Sequence, residues 1–254
     1  MIKKPVAVQM WTVRKEMAED LAGTLARIAE IGYAGVELWF PEFPPVVDLK
    51  ALLVDTGLKA MGAHVPYLQL RDNFSAVAEY HQALGNTDLA IPIIPADLRQ
   101  SSENWHKRIP EIAEIARKAK NAGFRFSYHN HAVEFQETVD GQEAHDVIFE
   151  SIGADLLKAE LDTFFIAQMD KDPVAYINRY SGRVPLLHLK EKSGTPEISE
   201  GTEIGQGVID WDSVFAAAEA AGVEWYIVEQ NCEGLPALES IRVSFEYLRS
   251  KGAA

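Results

Sequence analysis

A (β/α)8 barrel of the α/β class is the fold this sequence predicts, and three observations carry the prediction. Short β-branched or apolar runs recur eight times along the 254 residues. Between them lie amphipathic segments that end on glycine, which is the pattern of parallel βα units. No glycine-rich phosphate loop follows the first run, as an open doubly wound sheet usually carries.

The chain opens on the run Val6–Val13. Leu21, Leu25, Ile28 and Ile31 then share one helical face, and Gly32 ends that helix. Glycine suits the place because a terminating residue often turns left-handed. Gly35–Trp39 is the second run, Gly57 leads to Lys59–Pro66, and Gly85 leads to Asp88–Ile94. A helix with Ile109, Ile112, Ile115 and Ala116 on one side closes at Gly123 before Arg125–His131. Gly153, Gly182 and Gly222 introduce Leu156–Phe165, Val184–Glu191 and Glu224–Asn231. Asp210-Trp211-Asp212-Ser213 offers N-capping side chains to an alanine-rich helix. Eight helices are expected to alternate with the eight strands. The polar stretch 191–210 is longer than most βα loops and is expected over the catalytic face. No composition shift divides the chain, so one domain over residues 1–254 is expected.

Composition narrows the partners. Hydrophobic residues make up 47% and charged residues 24%, enough for a sizeable core. Lys and Arg total 24 against 38 Asp and Glu, a net charge of −14. Such a surface repels phosphate backbones and anionic lipid, so no nucleic-acid or membrane partner is expected. Cys232 is the lone cysteine, which excludes an internal disulfide and a Cys-based zinc knuckle. Met-Ile-Lys-Lys-Pro runs straight into Val6-Ala7-Val8 without an apolar leader, and a cytoplasmic location is expected. Apolar barrel helices commonly pair, so a homodimer is the expected assembly.

The chemistry gathers at the ends of the runs. The second ends Glu37-Leu38-Trp39, the third Ala63-His64, and the fifth Ser127-Tyr128-His129-Asn130-His131. The sixth carries Glu160-Leu161-Asp162, the seventh His188-Leu189-Lys190, and the eighth Glu229-Gln230-Asn231. Strand period two puts His129 with His131, Glu160 with Asp162, and His188 with Lys190 on common faces. Barrel strands are buried on both sides, so these groups must face the mouth or be paired. Carboxylates and imidazoles without thiolates suit one divalent ion, with Mn²⁺ expected and Co²⁺, Mg²⁺, Fe²⁺ or Zn²⁺ compatible. A hydrogen-bonded polar plug in the barrel mouth is the alternative.

At these residues the chain resembles the xylose isomerase-like TIM-barrel superfamily, the sugar phosphate isomerase/epimerase group. The resemblance rests on Val8-Gln9-Met10-Trp11-Thr12-Val13-Arg14, Gly35-Val36-Glu37-Leu38, Tyr128-His129-Asn130-His131 with Glu134-Phe135, and Glu160-Leu161-Asp162. It continues through Gly182-Arg183-Val184-Pro185-Leu186-Leu187-His188-Leu189-Lys190, Gly205-Gln206-Gly207-Val208-Ile209-Asp210-Trp211 and Tyr226-Ile227-Val228-Glu229-Gln230. In that group a Glu, an Asp, a His and a Glu on strands five to eight hold one divalent ion, and both Glu residues move the proton. Asp162, His188 and Glu229 match the last three positions, while His129 stands where the first Glu is usual. Phe164 and Phe165 follow Thr163, so the substrate-contacting His that relatives carry there is absent.

The resemblance implies a metal-dependent isomerase or epimerase acting on a keto sugar or its derivative through an enediolate. A lyase or hydratase on 3-keto-glycosides or oxidised sugars, or a non-catalytic sugar-binding barrel, would use the same scaffold. The superfamily's apurinic endonucleases need a basic DNA track that a charge of −14 does not supply. Glu229 is expected as base and ligand, Asp162 and His188 as ligands, and His129 as ligand, acid/base partner or hydrogen-bonded filler. Glu37 and His64 are expected to contact substrate hydroxyls or to bond internally. Lys190 would anchor a hydroxyl or phosphate, or act as counter-charge to Asp162 or Glu160. His131, Glu160 and Glu134 are expected behind the ligands, orienting them, with a structural ion pair the alternative for Glu160 and Glu134. Trp11, Trp39 and Phe164 offer faces for a sugar ring, Arg14 an anion contact, and His81, His106 and His145 are expected at the surface.

Overall fold

Parallel strands covered on both faces read as unbroken apolar runs, and each expected run contains one. The computed structural model describes residues 3–40, 42–195, 200–231 and 234–252. Cys232 and part of the 191–210 stretch lie outside the described residues.

The first strand, β1 (Val6–Gln9), leads into helices α1 (Arg14–Glu19) and α2 (Leu21–Ile31). β2 (Gly35–Leu38), α3 (Val46–Thr56) and β3 (Lys59–Ala63) follow, then α4 (Tyr67–Asp72), α5 (Phe74–Leu84) and β4 (Asp88–Ile91). α6 (Ser102–Asn121) precedes β5 (Arg125–His129) and the short α7 (Val133–Gln136). A two-stranded hairpin, β6 (Thr138–Val139) and β7 (Gln142–Glu143), leads into α8 (Ala144–Ser151). The chain finishes with β8 (Lys158–Asp162), α9 (Thr163–Gln168), α10 (Pro173–Arg179), β9 (Leu186–Leu189), α11 (Trp211–Ala221), β10 (Trp225–Val228) and α12 (Ala237–Ser250).

Eight strands form one parallel sheet in the order β3-β2-β1-β10-β9-β8-β5-β4. Its two ends meet at a single bridge between His64 and Ala90, where the Val65 N–H donates to the Ala90 carbonyl at 3.0 Å. The fold is a (β/α)8 TIM barrel. Inside it Ala7, Met61, Leu186 and Ile227 form a small apolar layer against Trp225. Two residues further along β1, β9 and β10 the period brings Gln9, His188 and Glu229 to the same interior. The polar layer thus sits on an apolar floor, at the C-terminal ends of the strands where barrels of this kind place their sites.

Several expectations change. The strands end earlier than the apolar runs. Phe164 and Phe165 belong to α9, because Asp162 caps it by accepting their N–H groups at 2.8 and 3.2 Å. Gly153 is not left-handed; α8 ends at Ser151 and Ile152 is extended. Twelve α-helical segments occur among the described residues rather than eight, since turns after β1, β3, β5 and β8 wind into short helices. His81 and His145 are buried, at 1% and 0% exposure, not at the surface. Each packs in a ring cluster, His81 with Phe43 and Tyr80, and His145 with Phe135, Phe149, Tyr176 and Tyr180. Their helices bury the face that carries them. His106 is exposed as expected. Among the described residues no helix is long and apolar enough to cross a membrane.

Candidate active site

Two adjacent layers of polar side chains fill the upper barrel. His129, Asp162, His188 and Glu229 form the outer set, and one donor atom from each lies within 4.8 Å of the others. None of the four is more than 6% exposed. His188 Nδ1 lies 3.1 Å from Glu229 Oε2, and His129 Nε2 lies 4.0 Å from Asp162 Oδ2. Register explains the convergence: His129 pairs with Glu160, and Asp162 with His188, so neighbouring strands present these residues at one height.

Beneath them Glu37, His64 and Glu160 tie the layer together. Glu37 Oε2 accepts from Gln9 Nε2 at 2.5 Å and lies 2.8 Å from His188 Nε2. His64 Nε2 sits 2.6 Å from Glu160 Oε2 and 3.3 Å from Glu37 Oε2. A register shift between Val36 and Glu37 against β3 sets Glu37 opposite Gly62. A bulge re-aims a side chain in this way. Gly62 matters because a Cβ there would meet Glu37 Oε1 at 3.1 Å. Glu37 and His64 thus lie below the mouth, bonded internally, Glu37 to His188 and His64 to Glu160.

At the rim, Lys190 is 1% exposed, and its Nζ lies 3.0 Å from Glu229 Oε1 and 3.3 Å from Asn231 Oδ1. Phe164 and Phe165 face the ammonium at 5.2 and 4.6 Å. Lys190 is therefore in direct contact with Glu229, and its charge also acts on Asp162, as the counter-charge reading expects. Trp11 and Trp39 meet edge to face at 4.7 Å, with Trp11 37% exposed. Arg14 stacks on Trp11 at 4.1 Å and donates to its carbonyl at 2.8 Å. His131 packs on Phe165 at 4.5 Å, and its N–H donates to Glu134 Oε2 at 2.7 Å. Glu134 also accepts from Tyr128 at 2.9 Å, so it shapes the turn after β5, and it makes no ion pair among the described residues.

Gln9 and Glu191 act here without having been singled out by type. A polar side chain inside an otherwise apolar first run was the available signal for Gln9. Glu191, fully buried, accepts from the N–H groups of Gly205 and Ile209 at 3.0 Å each and from Trp211 Nε1 at 2.5 Å. It pins the described part of the 191–210 stretch. Glu200 in that stretch accepts from Asn231, two residues past Glu229.

Electrostatics separate the carboxylates. Burial favours the neutral form of Glu229, but Lys190 and His188 hold it well below the usual carboxylate range. Burial pushes Asp162 up to about 6 despite Lys190. Burial and the neighbouring Glu37 push Glu160 up to about 7. Burial alone would raise Glu37, yet His64 and His188 bring it down to about 2. Burial, then His188 and His64, keep His129 well below its ordinary value, so it is a neutral imidazole with a free lone pair.

Both nitrogens of His129 and Oδ2 of Asp162 are buried with no hydrogen-bond partner. Leaving such atoms unsatisfied costs about 1–3 kcal/mol each. Two imidazoles and two carboxylates, with the unpartnered atoms of His129 and Asp162 among their donors, fit a divalent cation.

A family model described as Xylose isomerase-like TIM barrel matches residues 25–251. The chain is 26% identical over 183 residues to the inosose dehydratase of Clostridium beijerinckii, covering 66% of this chain and 58% of that protein. It spans between 52% and 58% of the length of the curated relatives it matches. A sugar phosphate isomerase/epimerase from Parabacteroides distasonis shares the fold with a TM-score of 0.82 at 21% identity, covering 98% of this chain and 95% of the other. An IOLI protein structure with a binding zinc atom aligns with a TM-score of 0.74 at 18% identity, covering 96% and 97% of the two chains.

Proposed function

Because the chain belongs to the xylose isomerase-like TIM barrel family, we propose that it removes the proton beside the carbonyl of a keto sugar or keto polyol and works through an enediolate. His129, Asp162, His188 and Glu229 would hold one divalent cation, Mn²⁺ being the expected ion. When bound, that cation supplies Lewis acidity toward the carbonyl and its neighbouring hydroxyl.

Glu229 is the base. It is ionised, whereas Asp162 has Oδ1 committed to the cap of α9. Elimination of a β-substituent is the outcome the geometry supports best. The observation that carries it is Lys190 Nζ, 3.0 Å from Glu229 Oε1. Glu229 takes the C–H proton, and the electron pair moves into the new double bond as the β oxygen leaves. Lys190 protonates that oxygen and recovers its proton from Glu229, so the pair resets. Water or a glycosidic alcohol is released. The relatives named inosose dehydratase support water loss. Epimerisation needs a second base on the opposite face, and β5 carries His129, one of the proposed cation ligands, rather than a second carboxylate. Aldose–ketose isomerisation is the second reading, favoured by the same single carboxylate, which can carry a proton between adjacent carbons on one face.

Incubation of the cation-loaded protein in D₂O with ketoses, keto polyols and 3-keto-glycosides distinguishes these outcomes. Elimination gives an enone and water or aglycone; isomerisation gives deuterium next to the carbonyl. Glu229→Gln is expected to lower turnover about 10²–10⁴-fold with the fold intact. A variant within a few-fold of wild type would remove Glu229 as the base. Neither product from any of these substrates would overturn the reading.

A further inference from the structure

Two histidines belong to two different ligand sets. His64, His129, Glu160 and His188 form an inner set whose donor atoms also lie within 4.8 Å of one another, and it shares His129 and His188 with the outer set. Each shared ring turns one nitrogen to each set. His188 places Nδ1 3.1 Å from Glu229 Oε2 and Nε2 3.6 Å from Glu160 Oε2. His129 places Nε2 4.0 Å from Asp162 Oδ2 and Nδ1 3.3 Å from Glu160 Oε2. A tetrahedral cation with bonds of ~2.05 Å keeps its ligand atoms roughly 3.3 Å apart, so either set needs only small adjustments. The three imidazole rings of the inner set lie 4.4, 4.7 and 5.2 Å apart. Oε1 of Glu160 and both nitrogens of His129 are buried without a partner.

We propose that the barrel offers two mutually exclusive seats for one divalent cation, the inner seat being catalytically idle. A neutral imidazole ligates through one nitrogen and keeps its proton on the other. With the outer seat filled, His188 Nε2–H donates to Glu37 and His129 Nδ1–H faces Glu160. With the inner seat filled, His188 Nδ1–H donates to Glu229, and the base is tied up in a hydrogen bond. The idle character of the inner seat rests on the proposed role of Glu229; the existence of the seat does not. The two seats also differ in composition, with three imidazoles in the inner and two in the outer.

Cobalt(II) loading of the full chain tests this by metal analysis and X-ray absorption, which counts imidazole ligands. Wild type is expected to hold one cobalt per chain. Asp162→Asn and Glu229→Gln, which change ligands of the outer set alone, should each keep one cobalt with three imidazoles. His64→Gln and Glu160→Gln, which touch only the inner set, should each keep one cobalt with two imidazoles. Should Asp162→Asn disturb α9, Glu229→Gln decides, because Glu229 caps no helix. Folded outer variants that hold no cobalt, beside inner variants that hold one, would overturn the inner seat and leave the proposed function standing. Two cobalt ions per wild-type chain would overturn mutual exclusion. A wild type that binds none would end both readings.

Discussion

Gly62 sets the position of Glu37 by having no side chain. Its added Cβ would lie 3.1 Å from Glu37 Oε1, closer than ordinary contact, so Glu37 must yield and pull on His188. Gly62→Ala is expected to weaken cation binding about 10–100-fold, the usual effect of disturbing a group that orients a ligand. Calorimetric titration with Mn²⁺ measures it, and unchanged affinity would show that Glu37 does not set the His188 ring. At this scale the sequence was readable where chemistry showed in residue type: Asp162, His188 and Glu229 stand out as ionisable groups at the ends of apolar runs. Depth was not readable. Strand period two assigns a face, but it does not say that Glu37 and His64 lie below the mouth, because that depends on a register shift between β2 and β3.

Helix α5 carries its histidine inward, and this has a pH signature. Burial pushes His81 down to about 4 from an ordinary 6.5. Between these values the unfolded chain takes up a proton that the folded chain refuses. Stability from this residue is therefore complete above about pH 6.5 and falls as pH drops toward 4. From pH 7 to pH 5 the loss is roughly 2 kcal/mol. In His81→Gln, the decline in urea-unfolding free energy between those pH values should be smaller than in wild type by about that amount. Equal declines would show that His81 titrates normally. Helix faces were legible where apolar residues repeat, as at Ile109, Ile112 and Ile115 of α6, all buried. Polar residues on a buried face, such as His81 and His145, break that signal. The short helices after strands were hidden as well, since caps such as Asp162 sit inside the apolar run and read as strand.

The barrel gathers His129, Asp162, His188 and Glu229 at the C-terminal end of its strands, and a cation there should stabilise the folded state. Ligand present at 100 times its Kd adds about 2.7 kcal/mol. In a chain of this size each kcal/mol moves Tm by roughly 2–4 °C. Chelation is therefore expected to lower Tm by about 5–10 °C in differential scanning calorimetry, and no shift would mean that the folded chain carries no tightly held ion. The eight-fold recurrence made this architecture legible from sequence, whereas the manner of closure was not. One bridge joins β3 to β4, and His64, the residue in that bridge, reaches across the interior to Glu160 on β8. The fastening of the hoop and one member of the buried polar layer are thus a single residue. Springing that clasp would withdraw an imidazole from the layer in the same movement, so the ring cannot gape on that side while the layer stays whole.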